Sequence, residues 1–138
     1  IQSDAVSHPC SITQYASTAA LNGPQDEVKT MALEFEKRRD YMYQKISSIR
    51  YLNCQKPQGA FYVYVNISEL MNRELSGVKI NSSIDLALVL LEKANVAVIP
   101  GAAFGTDSYI RLSYATSMDT IVKGLDILED FLDKNLKK

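Results

Sequence analysis

Apolar positions change their spacing along the chain, and each change marks an element. Ser7-His8-Pro9 reads as a helix start, a hydroxyl cap followed by proline in the first turn, and Ile12, Tyr15, Ala16 and Ala19 then share one face. Gly23 breaks that helix and Pro24 opens the next, with Asp26 and Glu27 at its positive end. Val28, Met31, Phe35, Met42, Ile46 and Ile49 recur at steps of three, four or seven, which predicts a long amphipathic helix. In "KPQGAFYVYVNIS" the period falls to two. Ala60, Tyr62 and Tyr64 alternate with Phe61, Val63 and Val65, a strand pattern after a Pro-Gln-Gly turn. "YLNCQ" is its expected antiparallel neighbour.

"NRELSGVKINSS" is polar and reads as a surface loop. Ser82 and Asp85 resemble a capping box that opens a short helix to about Lys93, closed by Asn95 in a left-handed conformation. "VAVIP" is a short strand stopped by Pro100, and "YIRLSYA" is another. Ser117 caps a last helix with Ile121, Leu125, Leu128 and Leu132 on one face. The order predicts an α+β fold: a small mixed or antiparallel sheet with helices packed on it.

Bulk composition narrows the function. A chain of 138 residues with 46% apolar and 22% charged residues suits one domain with a real core. The net charge of -1 gives no basic excess for nucleic acid or an anionic membrane, and no apolar run has the length of a membrane span. Cys10 and Cys54 form neither a disulfide framework nor a zinc pattern, and read as reduced thiols of a cytoplasmic protein. "IQSDAVSHPC" has no initiator Met and no signal-peptide pattern, so the expectation is the middle of a longer chain.

One residue resists the bland reading. In "YIRLSYA", Ile110, Leu112 and Tyr114 lie on one face, and Arg111, Ser113 and Ala115 on the other. A guanidinium stays charged, so Arg111 needs a carboxylate or water. A carboxylate from a ligand would meet its planar fork through two parallel hydrogen bonds. The competing reading is a surface arginine on a half-exposed sheet. The loop "PGAAFG" before it carries Gly101 and Gly105; it is a close-approach loop or simply a tight turn, and not a P-loop. His8, near Cys10, lacks the further ligands of a metal site. Tyr62, Tyr64, Tyr109 and Tyr114 read as packing on the sheet rather than a stacking platform.

Taken in order, "QSDAVSHPCSITQYASTAALNGP", "FEKRRDYM", "KPQGAFYVYVNIS", "VAVIPGAAFG" and "YIRLSYATS" resemble the C-terminal part of class I pyridoxal-phosphate-dependent aminotransferases of the aspartate aminotransferase type. The resemblance implies the small domain of that fold for residues 22–138. Residues 1–21 would be a flanking segment of the large domain and subunit interface. It implies that Arg111 clamps the substrate α-carboxylate, that Gly59 and Phe61 flank the mouth of the site, and that Ser7 lies near Arg111. Gln2 and Ser3 would approach the partner subunit's site in a homodimer. The cofactor implied is pyridoxal 5'-phosphate, which serves as electron sink while a lysine moves the proton, and the small domain would close on the substrate.

The chain departs from that pattern in two places. The family usually has Asn where His8 stands, before Pro9. The Schiff-base lysine lies in an upstream Ser-Lys motif that no lysine here matches, and the aspartate for the pyridinium nitrogen and the phosphate cup lie upstream too. The expectation is a substrate-binding fragment with no catalytic or cofactor-binding residue of its own, inactive alone. The alternative is a stand-alone, non-catalytic α+β module that holds a small carboxylate on Arg111.

Overall fold

The computed structural model describes residues 4, 5 and 7–136. They fall into two compact units, Ile1–Leu33 and Glu34–Lys138. The expected approach of Gln2 and Ser3 to a partner site lies outside the described residues.

In the first unit, helix α1 runs Ser11–Asn22. It starts later than Ser7-His8-Pro9 suggests, because Ser7 takes a left-handed φ of 59° and Cys10, extended, becomes the N-cap without a side-chain capping bond to a helix N–H. The expected apolar face stands open: Ile12 and Tyr15 are each 79% exposed and Leu21 80%. Helix α2 covers Asp26–Ser48, with Asp26 and Glu27 in its first turn, so Pro24 precedes the helix rather than sitting inside it. Val28 and Met31, at its start, are exposed.

The second unit holds the core. Its main sheet has the order β1-β2-β6-β5, every pair antiparallel: β1 Asn53–Cys54, β2 Tyr62–Asn66, β5 Ile99–Pro100 and β6 Tyr109–Ser113. Strand β2 begins at Tyr62 because Ala60 takes φ 65°, which keeps the Gly59-Ala60 step in the turn. Pro100 is paired within β5, opposite Ile110, rather than ending the strand ahead of it. Val63 and Val65 of β2 and Ile110 and Leu112 of β6 all point to one face. That face meets Met42 and Ile46 of α2, the buried side of α3 (Ser83–Ala94) and that of α4 (Met118–Leu136). The buried side of α4 is Ile121, Leu125, Leu128 and Leu132, as its spacing predicts. Lys45 of α2 clips α4 through Asp126 at 2.8 Å and Glu129 at 2.6 Å, which raises its own pKa.

One predicted surface loop is built differently. "NRELSGVKI" contains the hairpin β3 Glu74–Leu75 and β4 Val78–Lys79. Ser76 and Gly77 take φ 51° and 81°, the double positive-φ turn that suits the twist of paired strands. Leu75 and Ile80 are fully buried, and Ser76 donates from its backbone N–H and its hydroxyl to Asn135 Oδ1 of α4. The segment is polar on average because only two of its side chains reach the core.

Both ends of α3 follow their sequence signals. Ser82 Oγ accepts from Asp85 N at 3.1 Å, and Asn95 closes the helix at φ 55°, ψ 33°. The return bond of the capping box goes to a different donor, since Asp85 Oδ2 accepts from Asn81 N at 3.0 Å.

Candidate functional site

The register places Arg111 opposite Tyr64 on one side and Ile99 on the other, so its strand is bonded on both edges. Its side chain leaves the sheet on the face away from the core, with Tyr62, Tyr64 and Ser113. The guanidinium carbon lies 4.9 Å from the Tyr62 ring centre and 4.6 Å from that of Phe104. These are cation–π distances. Among the described residues, no carboxylate pairs with Arg111 and no group accepts a hydrogen bond from it. The charge is held by aromatic faces while its N–H groups stay unspent. They line a cleft of about 340 Å³ with Tyr62, Tyr64, Phe104 and Thr106.

The loop that brings Phe104 there is built by position-specific backbone. Residues 101–104 make one tight helical turn, closed by Gly105 at φ 78°. Gly101 is buried, and a Cβ on it would run into the carbonyl oxygens of Thr106 and Tyr109 and lie 2.8 Å from Tyr64 Oη. Only glycine fits. Ser83, fully buried at the start of α3, ties the loop down. Its Oγ accepts from Ala102 N at 3.1 Å, and its hydroxyl and N–H both donate to Asp107 Oδ1, at 2.7 and 2.8 Å. The Ser83 hydroxyl, then its N–H, hold the Asp107 carboxyl below the usual aspartate range. On the sheet itself, the Tyr64 ring stacks on Tyr109 at 4.8 Å.

A larger cleft of about 1010 Å³ adjoins the first and shares Tyr62, Tyr64 and Thr106 with it. Gly59 lines it, exposed, with nothing within 4 Å of an added Cβ. Phe61 is not brought to Arg111. It sits on the opposite face of the sheet, its ring 5.1 Å from Phe35, and its carbonyl accepts from Tyr114 N at 2.8 Å. Alternation alone puts Phe61 with Val63 rather than with Tyr62. Ser7 belongs to the first unit, exposed and left-handed. His8 Nδ1 lies 2.7 Å from Pro9 O. Cys10 and Cys54 are free thiols, and burial raises the pKa of Cys54. Phe104 and Thr106 are cleft residues that the sequence does not single out, and Tyr62, which it reads only as packing on the sheet, lines the cleft and faces Arg111. Tyr62 shares Arg111's face by alternation, but the register that makes them neighbours is invisible in one strand.

A sequence model of the family "Aminotransferase class I and II" matches residues 1–128. The chain belongs to the class I and II aminotransferases. It is 46% identical to a probable aspartate/prephenate aminotransferase of Rickettsia conorii, over 96% of this chain and 33% of that protein. It is 41% identical to an aspartate aminotransferase of Rhizobium meliloti, over 97% of this chain and 33% of that protein. This aminotransferase chain thus spans about a third of the length of the curated relatives it matches. Among solved structures, it superposes on the aspartate aminotransferase of Rhizobium meliloti with a TM-score of 0.90 at 40% identity, covering 97% of this chain and 34% of that one. An aromatic aminotransferase from Pyrococcus horikoshii gives 0.82 at 29% identity, over 96% and 34%. The α+β fold is that of the class I and II aminotransferases, and the reading as a stand-alone carboxylate-binding module is left without support. Among the described residues, no helix is long and apolar enough to cross a membrane.

Proposed function

We propose that this chain supplies the substrate-carboxylate clamp of an amino-acid:2-oxo-acid aminotransferase, and that Arg111 is the clamp. The observation that carries the reading is the unspent guanidinium of Arg111, held against the rings of Tyr62 and Phe104 at the edge of a cleft. A planar fork offers two parallel N–H donors that match a carboxylate. Amino acid and oxo acid both carry the α-carboxylate, so one arginine serves both halves of the reaction. Its contribution is positioning: it fixes the substrate's Cα relative to the groups that act on it.

Family membership implies pyridoxal 5'-phosphate, whose chemistry is that of an electron sink. The residues of this chain do not fit the role of its carrier. The cofactor's aldehyde needs a primary amine, and among the described residues no lysine lines the cleft at Arg111. Among the described residues, the lysine lining the adjoining cleft is Lys56, whose Nζ lies 3.0 Å from Asp40 Oδ1. On this reading the cofactor is held by other parts of the enzyme. The same reading makes the intact protein a cytoplasmic homodimer that engages neither membrane nor nucleic acid, with residues 1–21 joining its large domain. Gly59, Phe61 and Ser7 would be neighbours of the substrate; Gly59's place in the adjoining cleft supports this, while Phe61's packing on Phe35 weighs against direct contact. The relatives' names make aspartate the first amino acid to assay.

The test is Arg111→Lys in the full-length enzyme, beside Arg111→Ala. Lysine keeps the charge but not the fork. Truncating one partner of a hydrogen-bonded charge pair costs about 2–5 kcal/mol. At about 1.4 kcal/mol per tenfold, that is roughly 30-fold to several-thousand-fold in kcat/KM. Both variants should show it, for amino and oxo acids alike. A Lys variant near wild type would make Arg111 a structural or merely electrostatic residue.

A further inference from the structure

We propose that Phe104 is a positioning residue for Arg111, one jaw of an aromatic vice that pre-orients the guanidinium for its carboxylate. The inference rests on the reading of Arg111 above and goes beyond it, to what makes the arginine competent. An arginine on an exposed sheet face loses rotamer freedom when it binds, and that loss is subtracted from affinity. Here the loss is taken before the ligand arrives. Tyr62 is the first jaw. It lies on β2 diagonally across from Arg111, within reach of a long side chain. Phe104 is the second, from a different element, and the two ring centres lie 4.9 and 4.6 Å from the same guanidinium carbon. Aromatic rings attract a cation at their faces, and the in-plane N–H edge stays open for a planar anion.

Phe104 is an unusual place for a large apolar ring, because it is 51% exposed and outside the core. Its surroundings nonetheless fix it firmly. Gly101 packs against the carbonyls of Thr106 and Tyr109, Gly105 closes the turn, and the buried Ser83 hydroxyl bonds both Ala102 N and Asp107. A loop secured at both ends that presents a half-exposed ring serves the ring's contact, and that contact is Arg111.

The experiment uses the full-length enzyme with Phe104→Leu, Phe104→Tyr and Arg111→Lys. The readouts are KM and kcat for an amino acid and an oxo acid, and the inhibition constant of propionate, a plain monocarboxylate. Leucine keeps the bulk and loses the ring face. Phe104→Leu should raise both KM values and the propionate constant together by about 2- to 30-fold, the range that cation–π contacts span, with kcat changed less than about threefold. Phe104→Tyr should restore wild-type values. Unchanged propionate binding in Phe104→Leu, with binding lost in Arg111→Lys, overturns the role of Phe104 and leaves the carboxylate clamp standing. Unchanged binding in both variants sinks the two readings together. A fall in kcat alone, or an equal loss in Phe104→Tyr, would mean that the ring merely shapes the loop, and would also overturn the proposal.

Discussion

Two glycines near the cleft look alike in sequence and differ in what surrounds them. At Gly101 a methyl group would meet two backbone carbonyls, which have no side-chain freedom with which to move aside. Gly101→Ala should therefore lower stability by about 1–3 kcal/mol, the range for overpacking, read as a shift of the urea midpoint. At Gly59 the same methyl meets nothing. Gly59→Ala should stay within about 0.5 kcal/mol, as surface substitutions do. Equal shifts in the two would refute the steric account. The direction of Arg111 was legible because alternation in one strand is enough to assign a face. The neighbours of Arg111 were not, since Tyr62 and Phe104 reach it through strand register and a loop path. Phe61 was drawn to the site only by likeness to a family; its own alternation with Val63 already pointed to the other face.

Among elements, the helices were the most readable, because their signals are local. Ser82, Asn95 and Ser117 act where the sequence places them, Ser117 Oγ accepting from Thr120 N at 3.2 Å. The hairpin at 74–79 leaves no periodic signal, because its two anchors, Leu75 and Ile80, are too few to show one. The start of α1 is not legible in sequence, because a left-handed Ser7 has no sequence mark of its own. Ser83 carries no signal of its own beside the capping Ser82, yet it joins α3 to the loop before β6. Ser83→Ala removes the hydroxyl that accepts from the half-buried Ala102 N–H, and should cost about 0.5–1.5 kcal/mol, the net worth of one such hydrogen bond. It should also alter the acid limb of stability. The Asp107 pKa is depressed in the fold, chiefly by the Ser83 hydroxyl. Its contribution is therefore complete above the ordinary aspartate value of about 3.9 and is lost as pH falls through the lower folded value. Unfolding midpoints measured from about pH 6 down to 2 should fall less steeply in the variant than in wild type over that acid range. Parallel curves would contradict the assignment.

At the scale of the whole chain, the core belongs to residues beyond Glu34, while the first unit leaves Ile12, Tyr15, Leu21, Val28 and Met31 open to solvent. Large apolar side chains gathered on one short unit mark a surface built to be covered. In this chain on its own, backbone amides of Ile12–Ala20 should exchange far faster than those of β2 and β6, and Ile12, Tyr15 and Leu21 should drive concentration-dependent association. Exchange as slow as the sheet's, in a sample that sedimentation shows to be monomeric, would count against this. The sheet, by contrast, has little freedom to offer. Arg111 stands on a strand bonded to β2 on one edge and β5 on the other, with Ile110 and Leu112 locked into the core on either side of it. Its backbone therefore cannot slide or swing alone. Any pull that an anion exerts on the guanidinium passes down a short stem into a fixed mount, and from there to every strand and helix beneath. Arg111 is in that sense a tow-hook: what grips it must either move the whole second unit or be moved to it.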